Sequence, residues 1–137
     1  MSPQSRRLAG ILLIVLPTVM YGGVSLLYLL YNDPQYMQNA LRQNLFRAGH
    51  AHAGVLLILS LVALRYVDEA NLSNTWKNVA RNFIPSAAIL MPAGFFFSVL
   101  KPDATEPNSL IYLTYAGAIV LATGVLVLGI GLIKKRQ

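Results

Sequence analysis

The residues of this sequence best suited to chemistry are two histidines, His50 and His52, and the chain has no others. They lie where an apolar stretch begins, in the segment Arg47-Ala48-Gly49-His50-Ala51-His52-Ala53-Gly54. Ionisable side chains at membrane depth are costly and mark functional positions where they occur. Because an imidazole can hold a metal ion or the iron of a haem, this segment is the candidate site.

The spacing of the two histidines limits what they can do together. Residues i and i+2 of a helix are separated by about 200°, so a regular helix cannot direct both side chains at one metal ion. Either the histidines face different surroundings, or Gly49 loosens the helix and lets them converge. Since Arg47, His50 and Gly54 share one helical face, we predict that His50 points inward as the metal or haem ligand.

The neighbours of His50 fit a flat, acidic cofactor. Small residues at Ala53 and Gly54 leave space beside an imidazole, and this space suits a haem or a closely packed helix equally well. For a haem, we predict that Arg47 and Arg42 pair with the propionates and that His52 supports the site. The alternative is that both histidines are interfacial residues that only make hydrogen bonds.

Tyrosines along two apolar stretches predict a second kind of site. Tyr21 and Tyr28 recur on one side of the first stretch, and Tyr115 lies in the fourth. One interpretation is a polar cavity lined by Tyr21, Tyr28, Gly54 and Tyr115 together with His50. The other is aromatic belts at the membrane surfaces and hydrogen bonds between helices.

Catalytic combinations are missing from the sequence. There is no cysteine, no phosphate-binding loop and no nucleophile beside a base. All five acids are predicted to lie in loops, which disfavours a proton pump: Asp33, Asp68, Glu69, Asp103 and Glu106. We therefore predict no catalytic residue and no enzyme activity of the chain alone.

Four apolar stretches must position these residues, at 8–31, 48–66, 83–100 and 109–133. Each is close to the roughly 20 residues that cross a bilayer as a helix. The chain is 55% hydrophobic and 12% charged, about half the charged share of a soluble domain (roughly 25%). We predict an all-α, polytopic membrane protein, a four-helix transmembrane bundle in a single domain over 1–137, whose first stretch is a retained helix rather than a cleaved signal.

Two further patterns refine this fold. Met37, Leu41 and Leu45 form an apolar stripe, which predicts a short amphipathic segment at the interface between the first two membrane helices. Gly117, Gly124 and Gly131 recur every seven residues, which predicts close approach of a neighbouring helix. That neighbour belongs either to the same chain or to another copy.

The distribution of basic residues predicts the orientation. Eight lysines and arginines lie on one side of the predicted spans and three on the other, and the larger set is Arg6, Arg7, Arg65, Lys77, Arg81, Lys134, Lys135 and Arg136. By the positive-inside rule, both termini are expected in the cytoplasm, and the setting is a plasma (inner) membrane. The net charge of +6 thus indicates lipid headgroups rather than nucleic acid as the partner.

Three functions remain open from the sequence. The first is a small inner-membrane protein that binds haem or a metal through His50. The second is an oligomeric carrier or channel for a small molecule, and the third is a structural accessory subunit of a larger membrane complex. In each case the expected partners besides the bilayer are further copies of the chain or another membrane complex.

Overall fold

The computed structural model describes residues 1–135, and these form helices without any strand. The helices are α1 (Pro3–Asn32), α2 (Pro34–Gln38), α3 (Ala40–Val67), α4 (Asn74–Phe97) and α5 (Tyr112–Ile133), the last preceded by a 3-10 turn at Ser109–Ile111. Four segments are long and apolar enough to span a membrane: α1, α3, α4 and Ser109–Ile133. The predicted four-helix bundle is confirmed. Arg136, counted in the charge argument, lies outside the described residues.

The helix boundaries differ from the predicted spans at their polar ends. Helix α4 begins at Asn74, nine residues before the predicted start at position 83, with Ser73 at its N-cap. Its first turns are largely exposed, and burial begins at Ala80 and Arg81. The interfacial segment divides at Asn39 into the short helix α2 and the first turns of α3. Side-chain caps explain this division. The carboxylate of Asp33 accepts the N–H groups of Gln35 and Tyr36, and Asn39 accepts that of Arg42.

Helix α4 lies at the centre of the bundle and packs tightly against α5. In the most apolar part of α4, 44% of the residues are buried, against 6% in α1. Three glycines of α5, Gly117, Gly124 and Gly131, face α4 and the loop before it. A Cβ at Gly117 would lie 2.5 Å from Met91 Cγ, and one at Gly124 would lie 2.8 Å from Ile84 Cγ1. The neighbour that this glycine stripe admits therefore belongs to the same chain.

A buried polar cluster joins the start of α1 to the α3–α4 loop and to α4, at what we call the Asp68 end of the bundle. Arg81 Nη2 donates to Asp68 Oδ1 at 2.9 Å, and Arg81 Nε donates to Ser5 Oγ at 3.0 Å. The backbone N–H of Ser2 donates to Asp68 Oδ2 at 2.7 Å. Burial acts to raise the pKa of Asp68, but the hydrogen bonds from Ser2, Ser5 and Arg81 outweigh it and lower that pKa to about 2.

The opposite end of the bundle is held by Arg42, and we call it the Arg42 end. The Arg42 side chain is buried, and its Nε donates to the carbonyl oxygen of Val99 at 3.2 Å, just beyond the last turn of α4. Its guanidinium carbon lies 5.6 Å from the ring centre of Tyr36 and 5.2 Å from that of Phe46. A cation near the carbonyl end of a helix is favourable, so Arg42 fastens α2, α3 and α4 together.

Candidate functional site

The imidazole of His50 lies between α3 and α1, half-buried, against the only pair of adjacent glycines in the chain. A Cβ at Gly23 would lie 3.0 Å from His50 Nε2, and a Cβ at Gly22 would lie 3.5 Å from His50 Nδ1. The absence of side chains at Gly22 and Gly23 therefore makes room for the ring. Within residues 1–135, neither ring nitrogen of His50 makes a hydrogen bond.

Two segments of one groove between α1 and α3 meet at His50. The Arg47 segment, about 310 Å³, is lined by Gly23, Leu26, Leu27, Leu30, Tyr36, Gln43, Arg47 and His50. The Gly54 segment, about 490 Å³, is lined by Leu16, Val19, Met20, His50, Ala51, Gly54, Val55 and Ile58. We call the two together the α1–α3 groove. His50 lines both segments, Arg47 lines only the first and Gly54 only the second, so the three residues lie along one groove as their shared helical face predicts.

The polar groups of the groove are collected in its Arg47 segment. Arg47 is exposed, and its guanidinium bonds within α3, to the carbonyl oxygen of Gln43 at 3.2 Å and to Asn44 Oδ1 at 2.6 Å. No carboxylate is among the residues that line either segment. The groove is thus apolar along its length and positively charged at one end.

Tyr36 is a groove residue that the sequence reasoning missed. It lies on α2, is 2% exposed, and lines the Arg47 segment beside His50. Burial raises the pKa of its phenol, and the positive charges of Arg47 and Arg42 partly oppose that effect. The sequence feature that indicates this position is Asp33-Pro34. It starts a separate helix, α2, and places Tyr36 on the first turn of that helix under α3.

His52 faces a different helix from His50. Its Nδ1 lies 2.7 Å from the carbonyl oxygen of Ala48, and its ring centre lies 5.0 Å from that of Phe95 on α4. The two histidines therefore point to different neighbours, as the 200° separation requires. Helix α3 runs unbroken through Gly49, which packs against Phe96, so the ring positions do not converge in this structure.

Arg42 and the three predicted tyrosines do not line the groove. Arg42 is occupied at its own end of the bundle, where its Nη1 is buried and has no hydrogen-bond partner within the described residues. Tyr21, Tyr28 and Tyr115 are 71%, 65% and 61% exposed and face outward. Tyr21 and Tyr28 point away because α1 packs on α3 through other positions, including Leu12 and the glycine pair. A single copy of the chain therefore does not assemble the predicted tyrosine cavity around His50.

Residues 1–135 contain no group of three or more histidine, cysteine, aspartate or glutamate side chains placed to hold a metal ion. His50 is thus a single ligand on its own. A haem needs only one or two protein ligands to its iron, since the macrocycle supplies the rest.

The fold defines the class of the protein, a multi-pass membrane protein built as a four-helix bundle. Comparison with known proteins adds nothing to this class, because no family model, no curated protein and no solved structure matches the chain.

Proposed function

We propose that this small membrane protein binds haem in the α1–α3 groove, where His50 would supply a ligand to the iron. One observation carries the proposal. An imidazole without a hydrogen-bond partner in the described chain lies where the two apolar segments of the groove meet. Apolar walls suit a flat macrocycle, and a free imidazole nitrogen suits its iron.

Arg47 supplies the positive charge that would bind the propionates of the haem. It lies one turn from His50 towards the membrane surface, in the same groove segment. Haem propionates are anionic, and a guanidinium fork pairs with carboxylates through charge-assisted hydrogen bonds. The phenol of Tyr36 is a further donor beside them. The absence of an acid from the groove lining removes the repulsion that an anionic ligand would otherwise meet.

Ligation requires one local rearrangement. His50 Nε2 faces the backbone at Gly23, so an iron atom has no room on that side of the ring. The side chain must turn away from α1, or α1 must move away from it. Because His50 lines both segments, a rotation of its side chain leaves the imidazole inside the groove.

Visible absorption of the purified protein tests the proposal. Protein expressed with ample haem should show a Soret band, and His50→Ala should remove it. His52→Ala is the matched control and should keep the band, because His52 faces Phe95 rather than the groove. Arg47→Gln should weaken haem binding about tenfold, the effect of losing roughly 1.4 kcal/mol of charged hydrogen bonding. A wild-type protein without the band, or a His50→Ala variant that retains it, contradicts the proposal.

The outward tyrosines favour a second candidate function, an oligomeric carrier or channel. Tyr21, Tyr28 and Tyr115 lie on surfaces that another copy of the chain is able to cover, which would turn an outward row of phenols into the lining of a shared pore. Transport of small molecules by vesicles reconstituted with the protein tests this function. Co-purification of a stoichiometric larger complex tests the third reading, a structural accessory subunit.

We also propose that the Asp68 end faces the cytoplasm of a plasma (inner) membrane. Among the described residues, the basic side chains of this end are Arg6, Arg7, Arg65, Lys77, Arg81, Lys134 and Lys135, whereas the other end has Arg42, Arg47 and Lys101. Since the chain has no cysteine, single cysteines at Lys77 and Lys101 give unambiguous labels. In intact cells, a membrane-impermeant maleimide should modify Lys101→Cys and leave Lys77→Cys unmodified. The reverse pattern contradicts this orientation.

A further inference from the structure

We infer that α1 is a side gate of the α1–α3 groove, through which a ligand dissolved in the bilayer reaches His50. In this inference the middle of α1 moves away from α3 while both ends of the helix stay fixed. The ligand itself rests on the proposed function. The motion of α1 does not, and it follows from four observations on the helix.

The first observation is a gap in the apolar packing of α1. Its part from Leu8 to Val19 packs into a cluster centred on Leu12, Leu57 and Leu64. Its last turns pack, through Leu26 and Leu29, against the cluster of Tyr36, Phe46 and Val99. Between these two clusters lie Gly22 and Gly23, which contact α3 through the imidazole of His50. Little apolar contact therefore opposes separation of the helices at the ligand site.

The second observation is that features known to bend helices are concentrated in this part of α1. Pro17 removes a backbone hydrogen bond from the helix interior. Thr18 Oγ1 donates to the carbonyl oxygen of Val15 at 2.7 Å, and Ser25 Oγ donates to that of Tyr21 at 3.1 Å. Side-chain bonds of this kind bend helices, as do adjacent glycines. A bend between residues 15 and 25 is thus the easiest deformation of α1.

The third observation is that both ends of α1 are tied down. At its start, the N–H of Ser2 and the hydroxyl of Ser5 bond into the Asp68–Arg81 pair. At its end, the backbone N–H of Asp33 donates to the carbonyl oxygen of Leu29, and the Asp33 carboxylate caps α2. Tyr36 of α2 is in turn buried under α3. Motion of the middle is therefore a bowing of α1 rather than its release from the bundle.

The fourth observation is that space lies on both sides of α1 and opens to the lipid. Met20, Val55 and Ile58 line the Gly54 segment and are 66%, 67% and 49% exposed, on a surface that meets acyl chains in a membrane. A separate cleft of about 260 Å³ lies on the other side of α1, against α3 and α4. The route to His50 with the least packed protein in its way is therefore lateral, from the bilayer.

A disulfide across the gate tests this inference. Val19 Cγ1 lies 3.9 Å from the position of a Cβ at Gly54, so the two positions are in contact across the gate. Cysteines there are placed to form a disulfide once their Cβ atoms come within roughly 3.5–4.5 Å of each other. The chain has no other cysteine to interfere. In vesicles loaded with haem in the lipid, oxidised Val19→Cys/Gly54→Cys protein should take up haem at least tenfold more slowly than the same protein after reduction. The oxidised single variants Val19→Cys and Gly54→Cys are the controls and should match their reduced forms.

Equal uptake by the oxidised and reduced double variant overturns the gate and leaves haem binding intact. Absence of haem binding in the wild type overturns the proposed function instead, and the gate is then tested without a ligand. Spin labels at Met20→Cys and Ile119→Cys should give a broad or two-peaked distance distribution in vesicles, because they report on the middle of α1. Labels at Ile89→Cys and Ile119→Cys, on α4 and α5, are the control and should give a narrow one. A Met20–Ile119 distribution as narrow as the control overturns the inference.

Discussion

Two helix pairs of this molecule use glycine in different ways. In the α4–α5 pair, the space above each facing glycine is filled by the neighbouring side chain, as by Met91 at Gly117 and Ile84 at Gly124. In the α1–α3 pair, the space above Gly22 and Gly23 is occupied by the imidazole of His50. The same residue type therefore produces a closed apolar contact in one pair and keeps a titratable side chain beside a groove in the other.

The difference follows from the place of each pair in the bundle. Helix α4 packs against both α3 and α5, so residues such as Ile84 and Ala87 are fully buried. Helix α1 packs against α3 and the short α2, and most of its surface faces lipid. In a bilayer, helix association depends on close packing rather than on the hydrophobic effect. A pair with close packing is consequently rigid, and one without it retains freedom to move.

The largest effect is expected where close packing is disturbed in the rigid pair. A Cβ at Gly94 of α4 would lie 2.5 Å from the backbone nitrogen of Thr114, which cannot move without shifting α5. We expect Gly94→Ala to destabilise the protein by about 3 kcal/mol, the upper part of the range for overpacking. Thermal unfolding in detergent micelles measures the loss.

Gly129→Ala is the matched control for this prediction. It makes the same chemical change in α5, where a Cβ would meet nothing within 4 Å. Its stability should equal or slightly exceed that of the wild type, since alanine favours the helix. Similar stabilities of Gly94→Ala and Gly129→Ala would show that the α4–α5 pair is less rigid than its contacts indicate.

A smaller effect on stability is expected at the hydrogen bonds of Asp68 and Arg81 that hold the start of α1. Because the pKa of Asp68 is lowered to about 2 from its ordinary value of 3.8, its charged form stabilises the folded state by about 2 kcal/mol. The sign follows from the lowered pKa. The contribution is complete above about pH 4 and is lost as the pH falls towards 2.

Unfolding in micelles between pH 5 and pH 2 measures this contribution, and Asp68→Asn supplies the control. The variant should lack that part of the acid dependence, because an amide does not titrate, and it should be less stable than the wild type at pH 5. An unchanged acid profile in Asp68→Asn would show that other carboxylates destabilise the fold at low pH. The hydrogen bonds between the start of α1 and the Asp68 end would then stabilise the fold by less than the lowered pKa of Asp68 indicates.

The sequence predicted those parts of the fold that depend on local composition. Four apolar stretches of suitable length give four membrane helices whatever their partners are, and the opposed directions of His50 and His52 follow from about 100° per residue. The one sequence signal for the early start of α4 is Ser73, a residue type favoured at helix N-caps, and Ser73 is the N-cap of α4. Polar residues such as Asn78 and Arg81 suggest a loop until Arg81 is seen to reach Ser5 and Asp68, which are distant in the chain.

The candidate site likewise has a part that the sequence predicted and a part that it did not. Arg47, His50 and Gly54 belong to one helical face, so their association in the groove needed only helical periodicity. The burial of Tyr36 beside them, and the engagement of Arg42 by Val99, depend on how α2 folds under α3 and on where α4 ends. Neither can be read from spacing along the chain.

The smallest effect on stability is expected at the glycine pair of α1. Substitutions there also give the sharpest test of the difference between the α1–α3 and α4–α5 pairs. A Cβ at Gly23 would lie 3.0 Å from His50 Nε2 and displace the imidazole, whereas a Cβ at Gly22 would make an ordinary contact of 3.5 Å with Nδ1. We expect Gly22→Ala and Gly23→Ala each to change stability by about 1 kcal/mol or less, because the ring has groove space to enter and alanine favours the helix. The ¹⁵N signals of the His50 ring in micelles should shift strongly in Gly23→Ala and weakly in Gly22→Ala, with those of His52 unchanged in both. If Gly23→Ala instead unfolds the protein as Gly94→Ala is expected to, the α1–α3 contact is as closed as the α4–α5 contact, and the imidazole has no freedom to turn towards a ligand.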